Sequence, residues 1–151
     1  MRIFIRKAIP KDLKQLEKIS NKIFPNEDVF LIVNSMINTE HFYIAEETTL
    51  AKIIGFIIFG LYSTNIAHIF ILAVEPEYQR KGVGTLILKF AEQIFQDTRI
   101  TKIRLEVQIE NEQAIDFYEK HRYQIVETIE KYYDDGSDAY LMVKEMEKKT
   151  K

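Results

Sequence analysis

One stretch restricts the fold more than any other. An apolar run over residues 66–74 leads into Gln79-Arg80-Lys81-Gly82-Val83-Gly84-Thr85, and an amphipathic segment follows. The run reads as a central strand buried on both faces. Leu86, Leu88, Phe90, Ile94 and Phe95 supply the apolar side of a helix expected over 82–95. A strand, a glycine turn and a helix start, in that order, point several backbone N–H groups and the positive end of a helix dipole at one place. Glycine lets the backbone approach an anion with no Cβ in the way. Arg80 and Lys81 add charge, so a phosphate or pyrophosphate site is expected. Two other phosphate motifs are excluded. No Gly-Lys-Ser/Thr follows a four-residue spacer, and a dinucleotide fingerprint would need glycine at position 87, which is Ile87. Taken alone, the turn equally suits a helix start packed closely on a sheet.

The rest of the chain alternates around this unit. Ile3 and Ile5 mark a strand. Pro10-Lys11-Asp12-Leu13 opens a helix carrying Leu13, Leu16, Ile19 and Ile23, and a short helix follows Pro25 to Asp28. Residues 42–46 and 52–59 read as two strands. Ile103, Leu105 and Val107 alternate as another, and Asn111 caps a helix over 111–120. Residues 123–133 and 139–144 read as a closing strand pair turned at Asp134-Asp135-Gly136-Ser137. The expected fold class is α/β (α+β), a mixed, mostly antiparallel twisted sheet flanked by helices, in a single domain over 1–151 with a charged tail from about 145.

Composition narrows the chemistry. The 151 residues suit one domain. Lys and Arg number 21 against 23 acids, which argues against a broad nucleic-acid surface. With no cysteine, thiol nucleophiles, disulfides and thiolate metal sites are excluded. His41, His68 and His121 show no metal-ligand spacing, so no metal is expected. Residues 53–62 are too short for a membrane helix and no secretory leader is legible, so a cytoplasmic protein is expected.

Gln79-x-x-Gly82-x-Gly84 after an apolar strand resembles the acetyl-CoA motif of the GNAT superfamily of N-acetyltransferases. Leu105-Glu106-Val107-Gln108-Ile109-Glu110-Asn111-Glu112-Gln113-Ala114-Ile115-Asp116-Phe117-Tyr118 resembles its later motif, a strand leading into Asn-x-x-Ala-x-x-x-Tyr. Order, separation and strand sequence match over nearly the whole chain. Within the superfamily the likeness is greatest to protein N-terminal acetyltransferases. Ile23-Phe24-Pro25 and the Lys131-Tyr132-Tyr133…Asp138-Ala139-Tyr140 segment are similar to theirs. The ribosomal-protein alanine acetyltransferases share Glu106, and the NatE-type enzymes resemble residues 107–118 and the Tyr-Tyr segment.

The resemblance implies acetyl-CoA as donor, with Leu72, Ala73 and Val74 along the pantetheine and Gln79, Arg80, Lys81, Gly82, Val83, Gly84 and Thr85 around the pyrophosphate. It implies Asn111 as a further CoA contact beside its capping role. Glu106 becomes a candidate base acting through water, His68 a second candidate base, and Tyr118 a candidate acid at the departing thiolate. The ordinary roles of these three are a salt-bridged strand residue, a structural histidine and a packed aromatic. Phe24, Pro25 and Asn26 would line the acceptor pocket, and Tyr132 and Tyr133 would close over a peptide N-terminus. NatE-type enzymes carry Tyr and His where this chain has His68 and Glu106, and apolar residues near Asn26-Glu27-Asp28. An acidic lip here favours small or polar first residues, or the ammonium itself. The family's usual glycine at position 122 is Arg122, at the cost of strain or another cap. The expected activity is acetylation of a protein or peptide α-amine. The alternatives are a small amine or lysine side chain as acceptor, or a CoA-binding subunit without catalysis. A homo-oligomer and a ribosome-associated partner stay open.

Overall fold

The computed structural model describes residues 1–25 and 27–148. Its strands are β1 (Ile3–Lys7), β2 (Phe42–Glu47), β3 (Lys52–Ser63), β4 (Ile66–Val74), β5 (Lys102–Gln108), β6 (Gln124–Ile129) and β7 (Ala139–Glu145). Its helices are α1 (Leu13–Ile23), α2 (Val29–Met36), α3 (Val83–Phe95) and α4 (Glu112–Lys120). The seven strands form one mixed sheet in the order β1-β2-β3-β4-β5-β7-β6. The chain folds as two compact units. One comprises Met1–Phe59 and Ile71–Ile94, and the other Gly60–Phe70 with the described residues from Phe95 onward. β3 and β4 each run through both.

In the first unit β1, β2 and β3 pair antiparallel. Leu16 and Ile19 of α1 and Val29 and Val33 of α2 bury against Phe42, Ile44, Ile53, Phe56 and Ile58. Helical spacing puts Leu16 and Ile19 on one face, which is why α1 forms there. The start of α1 differs from expectation. Pro10–Asp12 is a 3-10 turn, and the α-helix begins at Leu13. Asp12 does not cap α1. Its buried carboxylate accepts from the Ile9 amide at 2.9 Å and from both terminal nitrogens of Arg6 at 2.9 Å.

The strand buried on both faces is β3, where every residue from Ile53 to Phe59 is buried. The expectation for residues 66–74 is therefore corrected. In β4 buried Ala67, Ile69 and Ala73 are interspersed with half-exposed His68 and exposed Phe70. Gly55 explains the tight fit of β3. A Cβ there would lie 2.8 Å from the Ala73 carbonyl oxygen and 2.9 Å from Ile87 Cδ1. In α3 the buried set is Val83, Ile87, Leu88, Ala91 and Phe95, and Leu86 faces solvent. The helix is thus rotated from the expected face by about one residue, with Ile87 in place of Leu86.

In the second unit β5 alternates as expected, with Ile103, Leu105 and Val107 buried. It pairs antiparallel with β7 over its length, and parallel with β4 at Ile66↔Lys102, Ala67↔Ile103 and His68↔Arg104. The closing pair is shorter than expected. β6 ends at Ile129, so Tyr132 and Tyr133 lie in the connection to β7 rather than in a strand. Arg122 adopts φ 73°, the left-handed turn that glycine would take without strain.

Candidate active site

The residues expected on the donor side, Asn111 apart, lie in the first unit. Gln79 Nε2 donates to the Val74 carbonyl at 3.0 Å and ties the turn to the end of β4. Arg80 (φ 62°) and Gly82 (φ 83°) both take left-handed backbone, on either side of Lys81. Such alternation turns successive N–H groups toward one concavity. A Cβ on Gly82 would meet nothing within 4 Å, so the turn faces open space. Val83, Gly84 and Thr85 begin α3, at the positive end of its dipole. The turn therefore fits an anionic group. The residues before it, Leu72 and Val74, are half-exposed and Ala73 is buried.

Beneath this turn Glu75 is buried. It accepts from Lys22 at 3.1 Å, and Lys52 lies 3.3 Å from its other oxygen. Its amide donates to the Ile54 carbonyl. Lys52 and Lys81 both lie over the Tyr78 ring. These contacts join α1, β3 and the residues that carry the turn.

The second unit brings two separate sequence candidates together. Parallel pairing places His68 opposite Arg104, and Glu106 is two residues further along the same strand. Period-two geometry puts His68, Arg104 and Glu106 on one face, with the apolar Ile103, Leu105 and Val107 on the other. His68 Nε2 stands 2.7 Å from Glu106 Oε1, and Arg104 donates to Oε2 at 3.0 Å. Tyr132 also interacts with Glu106. Burial works against a charge on Glu106. The His68 bond and charge, with Arg104, outweigh it and hold the carboxyl below the usual carboxylate range. An ionised carboxylate only accepts, so His68 presents an N–H at Nε2 toward Oε1, and its Nδ1 makes no part of this contact.

Aromatic rings surround this pair. Phe70 lies 4.7 Å and Tyr62 6.2 Å from the His68 ring, and Tyr62 lies 3.9 Å from the Arg104 guanidinium. Tyr62, Phe70 and Tyr132 are all exposed. Burial, the Glu106 charge and the shared hydrogen bond raise the Tyr132 phenol. Tyr133 meets Tyr132 edge-on and closes the turn through its amide and carbonyl, to Ser137 and Gly136.

The other candidates have contacts of their own. Tyr118 is buried on α4 between Phe117 and Tyr123, and burial raises its phenol well above the ordinary value. Asn111 Oδ1 accepts from the Ala114 amide at 3.1 Å as the cap of α4. Phe24, at the end of α1, packs on the core of the first unit, and Pro25 is exposed. Asn26 lies outside the described residues. Sequence reasoning missed Arg104 and Tyr62. Arg104 could have been found, because it precedes Glu106 by two residues on an alternating strand. Among the described residues, no group of three or more His, Asp or Glu could hold a metal ion. No helix among them is long and apolar enough to cross a membrane.

The acetyltransferase (GNAT) family model matches residues 11–123. The chain belongs to this family. Its members are acetyl-CoA-dependent N-acetyltransferases, so acetyl-CoA is the donor here. The match reaches into both units and ends before Tyr132. An uncharacterised N-acetyltransferase of Methanocaldococcus jannaschii is 34% identical, over 94% of this chain and 91% of that protein. N-alpha-acetyltransferase 50 of Danio rerio is 31% identical, over 96% of this chain and 89% of its own. The crystal structure of Ard1 from Thermoplasma volcanium superposes with a TM-score of 0.89 at 27% identity, covering 98% of this chain and 100% of that one.

Proposed function

We propose that this acetyltransferase acts on the α-amino group of a protein or peptide N-terminus. The observation that carries the reading is the His68–Glu106 pair, an imidazole held at Nε2 by a carboxylate beside exposed aromatic rings. The reaction needs an amine that has lost its proton. An N-terminal amine has a pKa of about 8 and a lysine side chain about 10.4, so the former suits a base of modest strength. The relative named N-alpha-acetyltransferase 50 supports the same class of acceptor.

Acetyl-CoA supplies an acyl group on a good leaving sulfur. The amine nitrogen bonds the acyl carbon, the carbon–sulfur bond breaks, and the electron pair leaves on the thiolate. His68 Nδ1 takes the proton the amine loses, and Glu106 stabilises the imidazolium through Nε2–H. The Glu106 carboxylate already meets His68 and Arg104, one at each oxygen, and is weakly basic. It therefore orients the base rather than acting as one. Tyr118 keeps its proton at neutral pH and donates a hydrogen bond to the departing thiolate, which solvent then protonates.

On the donor side, Leu72, Ala73 and Val74 present backbone to the pantetheine, and Gln79, Arg80, Lys81, Gly82, Val83, Gly84 and Thr85 hold the pyrophosphate. Asn111 adds a CoA contact through its amide NH₂, since its oxygen is used by the cap. Phe24 and Pro25, with Asn26, form the wall for the first side chain, and Tyr132 and Tyr133 bond the peptide backbone. We place the enzyme in the cytoplasm, acting as one domain.

Acetyl-CoA turnover against peptides of varied first residue tests this reading, with small amines as a second arm. Peptide turnover favouring small or polar first residues is expected. Preference for large apolar first residues alone would overturn the acidic-lip reading. Turnover of small amines alone would overturn the peptide reading.

A further inference from the structure

One charged group touches the pair just described and has no part in the transfer as written. We infer that Arg104, seated on the Tyr62 ring, is a positioning residue that fixes Glu106 and, through it, the tautomer of His68. The inference rests on the proposed role of the His68–Glu106 pair.

The two Glu106 oxygens are divided between two partners. Oε1 faces His68 Nε2 at 2.7 Å, and Oε2 accepts from Arg104 at 3.0 Å. A carboxylate held at both oxygens cannot rotate about its last bond without losing one partner. Arg104 is in turn held from the other side, because its guanidinium lies 3.9 Å from the Tyr62 ring centroid at the end of β3. This is the stacked contact that a planar guanidinium makes and an ammonium makes less well. The Arg104 and His68 side chains are 17% exposed and Glu106 is 8% exposed, so the contacts are little screened.

The arrangement carries a cost that packing alone does not explain. Arg104 Nε is buried with no hydrogen-bond partner. A buried unmet donor is unfavourable. It is tolerated here beside a carboxylate that needs a second cation-side partner. Among the described residues, His68 and its carboxylate partner meet Arg104 from β5, Tyr62 from β3, Phe70 from β4, and Tyr132. Among these groups Arg104 carries the positive charge. It offsets the anion that would otherwise favour a protonated, base-incompetent imidazole. It also leaves Oε1 as the acceptor for Nε2–H, which frees Nδ1.

The test compares the whole chain with R104M, R104K and Y62L. R104M removes the charge and keeps most of the length, and R104K keeps the charge without the fork. Two readings are taken on each folded protein. Long-range ¹H–¹⁵N spectra report the His68 protonation pattern, assigned by its loss in H68Q. The second reading is the pH profile of kcat, with KM for acetyl-CoA measured alongside. The wild type should show a single neutral Nε2–H form at pH 7.5. R104M should lose that single form, with the acid limb of kcat moved up by about one pH unit, the shift that one nearby charge produces. At a pH well below the limb kcat should fall about tenfold, and less near pH 7, with KM for acetyl-CoA within about twofold of wild type. R104K should recover the position of the limb in part, and Y62L should shift both readings in the R104M direction. Should R104M not fold, R104K and Y62L decide. An unchanged His68 pattern and an unmoved limb in the folded variants would overturn the inference, even with activity reduced. H68Q separates the two claims, because full activity in H68Q would refute the parent reading whatever Arg104 does.

Discussion

Glu106 meets His68 at one oxygen and Arg104 at the other, and on the proposed reading it orients His68 rather than taking the proton itself. His68→Gln should lower kcat by about 10²–10⁴, the usual contribution of a positioned acid or base, with acetyl-CoA affinity little changed. Single-turnover kinetics with a donor titration would check it. A second residue-scale prediction concerns Asp12. Burial disfavours its charge, but the Arg6 bonds and the Ile9 amide outweigh that and lower the carboxyl from its ordinary value. A lowered folded value means the unfolded chain takes up the proton first as pH falls. The stabilisation is therefore present above about pH 4 and is lost as pH drops through the folded value. Asp12→Asn should lower Tm at pH 7 and change it little near pH 2, as melting curves at the two pH values would show. The sequence named His68 and Glu106 as rival bases. Nothing in it showed that they touch, because 38 positions separate them and only the parallel pairing of β4 with β5 joins them.

The order of strands and helices was legible because apolar periodicity is strong along this chain. The division of burial between strands was not. β3 and β4 are both apolar runs, and composition does not say which has both faces covered. Gly55 marks the answer. Its missing side chain admits the Ala73 carbonyl and Ile87, so β3 is enclosed where β4 keeps a polar position at His68. Gly55→Ala should destabilise the protein by about 1–3 kcal/mol through overpacking, seen as a lower denaturant midpoint with an unchanged slope. A similar limit applied to residues 123–133. Alternation suggested a strand to Tyr133, yet β6 stops at Ile129 because Lys131 takes φ 53° and its amide bonds the Asp138 carboxylate. That early stop leaves Tyr132 in a connection from which it interacts with Glu106.

At the scale of the molecule, the donor turn belongs to one compact unit and the His68–Glu106 pair to the other, and the family match spans parts of both. Donor binding and proton transfer should then be separable by mutation. Gly82→Val places a branched residue at φ 83°, where L-residues are strained, in the turn proposed to hold the pyrophosphate. It should raise KM for acetyl-CoA about tenfold or more and leave the His68 ¹H–¹⁵N pattern unchanged, an effect of about 1.4 kcal/mol on donor binding. The glycine turn was the most legible feature, because its left-handed geometry at Arg80 and Gly82 depends on local backbone and needs no distant partner. The acceptor was the least legible, because Phe24 and Pro25 have apolar roles in either reading. The measurement that bears most directly on the account is the position of the transferred acetyl. A peptide with a free N-terminus and an internal lysine would be incubated with acetyl-CoA and the enzyme, and the product mapped by fragment mass spectrometry. Acetyl on the α-nitrogen alone is the predicted result. Acetyl on the lysine Nζ, with the N-terminus unmodified, would contradict it.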